Sequence, residues 1–344
     1  MKIAFLFLIR ESLYHPELWE TYFKSALDSN EDYSIYIHYA KSINIGWFNQ
    51  FKLSNTVPTK WGHISLVEAM NVLLENALKD KENQMFVFLS ESCIPVKPMN
   101  HVKNNLDTNF SYFNFFPSVF PRADPALKYF SRDEIKGASQ WCILNRKHAE
   151  YLLKIRSDTI NFFSAVFAAD EICYSTFICS KFKDEIKDTM TTCVIWSNNS
   201  NKNFKKKKGL LKNTPNEYIL FDINELDYIL KTDTIFFLRK ITKNCVISYD
   251  YHNSFPGKYA QIQLYSTAND RKQIEDALKL CKLKKYGGFV NFRNRFYFKK
   301  QTVNELTDNA IPNSEATLIT LKTIDEYLMD KIKHKSNQIN NEKY

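Results

Sequence analysis

The chain has 344 residues, 44% hydrophobic and 15% aromatic, which supplies a large packed core and excludes a disordered chain. The net charge of +9 leaves 38 acidic residues among 47 basic ones; it reads as a Lys-rich solvated surface, with attraction to a polyanion or a diphosphate as the alternative. Seven cysteines (93, 142, 173, 179, 193, 245, 281) show no C-x-x-C spacing, which argues against a zinc site or disulfide scaffold and leaves most of them as small buried hydrophobes.

The first apolar run, Met1 to Ile9, is stopped at once by Arg10-Glu11. It is too short to cross a membrane and no small-residue cleavage site follows, so Ile3–Ile9 predicts the first buried strand of a parallel sheet. Without a signal peptide or anchor, the expected location is cytoplasmic, as for a soluble prokaryotic or viral enzyme. Pro16–Leu27 predicts a helix with Leu18, Trp19, Tyr22, Phe23 and Leu27 on its apolar face. Tyr33–His38 predicts a second strand. Ser65–Leu78 predicts an amphipathic helix burying Leu66, Ala69, Met70, Leu73, Leu74 and Ala77, and Met85–Leu89 a third buried strand. This alternation implies an α/β domain built on an open, mostly parallel doubly wound sheet with helices on both faces. Ligands of such sheets sit beyond the carboxyl ends of the strands.

The stretch from Phe110 to Pro125 reads as a cleft-lining loop. Gly137 lies in a turn feeding a strand-like stretch, Trp141 to Leu144, and then an amphipathic helix; Asp170-Glu171 opens another helix. The segment from Asn198 to Pro215 carries Lys205 to Lys208, either a solvated basic loop or one that closes on phosphates. Asp222–Leu230 predicts a short helix with Asn224 as a possible cap, and Thr234–Leu238 a strand ending in Arg239-Lys240. From residue 246 the pattern changes: Ala260–Tyr265 is strand-like, Asp270–Cys281 a helix, and Gly287–Val290 with Arg295–Phe298 a hairpin. The expected organisation is a domain over residues 1–245, a small α+β appendage over 246–330 and a frayed tail over 331–344.

No D-x-D occurs, the motif with which many nucleotide-sugar transferases hold a divalent cation; Ser90-Glu91-Ser92 follows the third strand instead. H-E-x-x-H, G-x-S-x-G and Walker-type runs are also missing, which leaves zinc-protease, hydrolase and NTPase readings without support. By spacing alone Asp170 and Glu171 are a helix cap and a helix-start charge, or an orienter and a general base. Trp61 is either core packing or a ligand contact. Trp141 offers a pyranose an apolar face or is simply buried.

Together, Phe88-Leu89-Ser90-Glu91-Ser92-Cys93-Ile94-Pro95, Lys136-Gly137-Ala138-Ser139-Gln140-Trp141, Asn145-Arg146-Lys147 and Asp170-Glu171 resemble the core-2/I-branching β-1,6-N-acetylglucosaminyltransferases and the related peptide O-xylosyltransferases, in particular the plant-type branch. The resemblance covers about residues 1–245. It implies a GT-A-like fold and an inverting, metal-independent transferase that moves a sugar, N-acetylglucosamine first and xylose second, from a UDP-sugar donor to a glycan acceptor. It implies Glu171 as catalytic base and Asp170 as its cap or orienter. Lys240 and Arg239, within Phe237-Leu238-Arg239-Lys240-Ile241, would face the leaving diphosphate. Two unit charges 4 Å apart gain about 4 kcal/mol at an effective dielectric near 20. His38 is implied at the uracil or ribose, Trp61 at the donor, and Glu91 and Ser92 near the donor sugar. Lys136, Ser139, Gln140 and Trp141 would wall the acceptor or donor sugar. The family's second phosphate-binding arginine has no counterpart; Asn216 and Glu217 stand there, with Lys212 or Lys205–Lys208 as substitutes. Two other classes stay open: a catalytically silent sugar-nucleotide or glycan-binding protein, and a nucleic-acid binder using the lysine run. Nucleic acid is not the expected partner.

Overall fold

The computed structural model describes residues 1–28, 32–41, 44–194, 229 and 231–241, together with five short strands between 245 and 320. The chain divides into two compact units. The first opens with β1 (Lys2–Ile9), α1 (Pro16–Asp28), β2 (Tyr33–Tyr39), α2 (Ser65–Ala77) and β3 (Asn83–Ser90). It continues with β4 (Ile94–Pro95), α3 (Met99–Asn104), β5 (Ser111–Phe113), β6 (Ile143–Asn145), α4 (Arg146–Lys154) and α5 (Arg156–Asn161). It ends with α6 (Cys173–Phe182), β7 (Ile186–Asp188), β8 (Thr192–Val194) and β9 (Phe237–Arg239). The predicted helix over Asp222–Leu230 and the basic loop lie outside the described residues, except Ile229.

The main sheet has the order β2-β1-β3-β6-β5-β7. Strand β1 is central and buried on both faces, so its side chains sort by parity. Ala4, Leu6 and Leu8 join Phe86, Phe88 and the α2 residues Val67, Met70 and Leu74 in one core. Phe5 and Phe7 meet the other layer, where α1 supplies Trp19, Tyr22 and Phe23 in edge-on contacts with ring centroids 5.0 to 6.4 Å apart. The buried stripe of α1 is Trp19, Tyr22, Phe23 and Ala26; Leu27 is exposed, because the turn at i+7 already completes the inward face. Helix α2 is enclosed more fully than an amphipathic stripe predicts. Even Asn71 is buried, donating to Thr159 Oγ1 at 3.1 Å and accepting from the Tyr174 hydroxyl at 2.7 Å.

The sheet is mixed. Pairs β1–β2, β1–β3 and β5–β7 are parallel, whereas β6 runs antiparallel to both β3 and β5. The reason lies in how β6 is entered: Cys142 O accepts from Phe88 N–H at 3.1 Å, so the Lys136–Trp141 segment arrives at the carboxyl end of β3. That reversal puts Trp141 at the same edge as Ser90. Part of the stretch expected as a loop, Ser111–Phe113, is β5 instead. Asn145 caps α4, accepting from His148 N–H at 2.9 Å. A second sheet, β4-β9-β8, pairs Ile94 with Leu238 and Thr192 with Phe237. No described helix is long and apolar enough to cross a membrane.

The second unit holds β10 (Cys245–Ser248), β11 (Gln263–Ser266), β12 (Gly288–Phe292), β13 (Arg295–Lys299) and β14 (Ala316–Thr320). Strands β10 and β11 pair antiparallel, and β12 pairs antiparallel with both β13 and β14. The β12–β13 ladder matches the hairpin read from the glycine pair and the alternating aromatics. The helix expected over Asp270–Cys281 lies outside the described residues.

Candidate active site

Four chain segments meet at the carboxyl end of β3. The first is the turn after that strand. Ser90 Oγ lies 3.1 Å from Ser92 Oγ and 3.2 Å from Cys93 Sγ, and Ser90 N–H points to the same sulfur at 3.3 Å. Trp19 Nε1 donates to Cys93 O at 3.0 Å, fixing the turn to α1. Both Ser92 and Cys93 are buried and engaged inside the turn, so Ser92 shapes it, and Glu91 between Ser90 and Ser92 is half-buried. Desolvation raises the Glu91 pKa against the opposing charges of Arg239, Lys240 and Arg10.

The second segment is β9 and its continuation. Ile241 N–H donates to Ser92 O at 3.0 Å, which draws Arg239-Lys240 alongside Glu91. Arg239 Nε donates to Ser90 Oγ at 3.2 Å, and its guanidinium lies 4.7 Å from the Trp141 ring centroid. One face of Trp141 therefore carries Arg239.

The third segment is Lys136–Trp141. Gly137 is required by packing, since a Cβ there would sit 1.8 Å from Val119 Cγ1. Ala138 N–H donates to Glu171 O at 2.8 Å and Ser139 N–H to Asn114 O at 2.9 Å. Gln140 is buried, with Nε2 3.8 Å from Met70 Sδ. Lys136 is exposed, and its charge is felt at Cys179 on α6 rather than among the arginines and carboxylates.

The fourth segment is the turn before α6. Ala168 takes the left-handed conformation (φ +53°), and a single 3₁₀ turn, Ala169–Glu171, follows. Of the two roles read for Asp170, cap or orienter, the structure rules out the cap: α6 begins at Cys173 behind Ile172, with no side-chain cap. Extra backbone turned in by Ala168 separates the carboxylates from the helix start. Asp170 Oδ1 is buried without a hydrogen-bond partner. Burial first, then the charge of Glu171, pushes the Asp170 pKa up to about 7, against Arg122 and Arg239. Glu171 Oε2 accepts from Arg122 Nη1 at 2.6 Å in a half-buried ion pair.

Arg122 is the site residue that sequence reasoning missed. It stands alone in the aromatic, proline-marked stretch, and only its place next to Pro121, in a stretch read as cleft-lining, hinted at it. His38 and Trp61 make no hydrogen bond or ring contact with Glu91, Arg239, Trp141 or Glu171 among the described residues. His38 is enclosed, and its Nε2 accepts from Val57 N–H at 3.0 Å, so the proton sits on Nδ1, which is buried and unpartnered. Desolvation lowers its pKa to about 4. Folded His38 thus binds a proton less readily than unfolded His38, so stability is full above the ordinary pKa near 6.5 and is lost as pH falls towards 4. Urea unfolding should report about 2 kcal/mol lost between pH 7 and pH 5 through this group. His38→Gln, which keeps an acceptor for Val57, should lose correspondingly less; equal pH slopes would sink the assignment. Trp61 is not core, being 81% exposed.

Cations at the end of one strand, carboxylates within their electrostatic reach and an aromatic wall are mounted on a mixed sheet with helices on both faces, the architecture of a GT-A-like fold. The chain belongs to the core-2/I-branching enzyme family, whose model matches residues 3–227. It is 31% identical over 166 residues to glycosyltransferase BC10 of Oryza sativa subsp. japonica. That alignment spans 44% of this chain and 40% of the rice protein, less than two thirds of its length. Among solved structures, a glycosyltransferase involved in the glycosylation of the major capsid of PBCV-1 is similar at 12% identity. Its TM-score is 0.28, over 54% of this chain and 84% of that one.

Proposed function

We propose that the chain is an inverting glycosyltransferase that moves a sugar, N-acetylglucosamine in the first place and xylose in the second, from a UDP-sugar to a glycan hydroxyl. The observation that carries this reading is the single cluster that joins Arg239 and Lys240 to Glu91 and to the Asp170-Glu171 pair. Cations suited to a diphosphate and a carboxylate suited to a hydroxyl proton belong to the same cluster. In the proposed step an acceptor hydroxyl gives its proton to Glu171 as its oxygen bonds to the anomeric carbon. The bond from that carbon to UDP breaks on the opposite side, and its electron pair leaves with the diphosphate beside Arg239 and Lys240. In-line displacement at an α-linked donor gives a β-linked product. Asp170, its pKa raised to about 7 by burial and by the charge of its neighbour, is suited to orient Glu171. His38 would act indirectly, by fixing the loop at Val57.

Metal independence belongs to the same proposal. It rests on the missing D-x-D and on the two cations where a metal would otherwise balance the diphosphate. A screen of UDP-sugars for UDP release tests both parts. Release should occur with at least one sugar and survive excess EDTA. Loss on chelation that Mn²⁺ restores would end the cation mechanism and leave the transferase reading in place. One observation favours a second reading: Arg122 already occupies one oxygen of the proposed base. A silent sugar-nucleotide-binding protein would bind UDP and release none from any donor.

A further inference from the structure

Trp61 is 81% exposed and Phe167 is 51% exposed, a large aromatic surface to leave in water. Their ring centroids are 5.3 Å apart with planes at 72°, so the two rings form a corner with two apolar walls. The corner is built into the backbone. Gly62 has φ +70°, and a Cβ there would lie 2.5 Å from Phe167 Cε2, so only glycine lets the ring rest against the chain. Ala168 N–H donates to Gly62 O at 2.9 Å, which joins the two segments directly. Ala168, itself held at φ +53°, leads straight into the turn that carries Asp170 and Glu171, and its carbonyl accepts from Glu171 N–H at 3.1 Å.

The backbone joins the corner to the carboxylates and not to the cations. Arg239 and Lys240 are tied to the Ser90–Ser92 turn, whereas Phe167 is tied to the carboxylates and stands four residues before Glu171. Four residues reach at most about 14 Å, within the span of a short oligosaccharide. A short oligosaccharide that delivers a hydroxyl to Glu171 is long enough for another of its rings to reach this corner. A pyranose fits it chemically, with flat C–H faces for the two aromatic walls and hydroxyls at its rim. Exposed Lys60 and His63 flank Trp61 and supply donors for those hydroxyls.

We propose that Trp61 and Phe167 are the stacking platform for a pyranose ring of the glycan acceptor. This rests on the transferase reading for the word acceptor, but the platform is testable without turnover. The probes are the methyl glycosides of galactose, N-acetylgalactosamine and xylose, with lactose as a longer ligand, each titrated by saturation-transfer NMR. Wild-type protein should bind at least one of them. Trp61→Ala and Phe167→Ala should each weaken that binding about tenfold or more, with UDP affinity within a few-fold. Trp61→Phe should restore part of the loss, as a smaller ring on the same wall. Undiminished glycoside binding in both alanine variants, or no binding of any probe by the wild type, overturns the platform. A parallel fall in UDP affinity also overturns it and assigns the corner to the donor. Failure of the transferase reading is a separate result: glycosides bind through Trp61, yet no UDP-sugar releases UDP.

Discussion

Glu171→Gln should lower sugar transfer by about 10²-fold or more and leave UDP affinity within a few-fold, because a general base acts on the acceptor proton and not on the nucleotide. The geometry makes this substitution informative. Oε2 of Glu171 is taken by Arg122 at 2.6 Å, while Oε1 has no hydrogen-bond partner among the described residues and is the oxygen available to a hydroxyl. Gln keeps an oxygen for Arg122 and nearly the same volume, so the turn is preserved while the basic site is lost. Arg122→Ala separates orientation from basicity. If Arg122 only aims the carboxylate, that variant should fall less far than Glu171→Gln, with its acid limb moved to higher pH because a cation opposing the raised pKa of Asp170 is gone. Transfer by Glu171→Gln at nearly the wild-type rate, with UDP affinity intact, would remove Glu171 as base. Glu91 would be tested next, as a carboxylate beside the same cations.

Much of the fold was legible because it follows from local periodicity. Strand β1 is buried as its apolar run predicts, and helix α2 buries Ala69, Met70, Leu73, Leu74 and Ala77 as expected, although Leu66 is only partly buried and the polar Ser65 and Asn71 are enclosed. The direction of β6 was not legible. A three-residue strand carries no sign of which end of β3 it enters from, and that depends on a hydrogen bond between Phe88 and Cys142. The same distinction runs through the site. Glu171, Arg239 and Trp141 stand out in motifs, and the structure brings them within one cluster. Arg122 and Phe167 do not stand out, because their relevance comes from contacts with residues 49 and 106 positions away. Asp170 illustrates a third case. Its place next to Glu171 suggested a cap, but the positive φ at Ala168 decides where the turn ends, and Ala is among the residues least suggestive of it.

Arg239→Ala should weaken UDP binding about tenfold and reduce kcat/KM by a further factor of ten or more, since charge on the leaving diphosphate grows in the transition state. Arg239 does more than add charge. Its Nε holds Ser90 Oγ, its plane lies over Trp141, and its field opposes the upward pKa shifts of Asp170 and Glu91. Removing it should therefore move both carboxylates further up and shift the acid limb of the pH–rate profile to higher pH. Arg239→Lys keeps the charge but loses the planar fork and the stack, so it should fall between wild type and Ala and not match wild type. Lys240→Ala should weaken UDP binding and slow transfer in the same sense, with no loss of the Trp141 contact. Uridine supplies the control, having no phosphates. If uridine binding falls as far as UDP binding, the loss is one of packing at the Ser90 turn and not of charge at the diphosphate. If neither falls in either variant, Arg239 and Lys240 do not meet the diphosphate, and the cation-for-metal mechanism loses its basis.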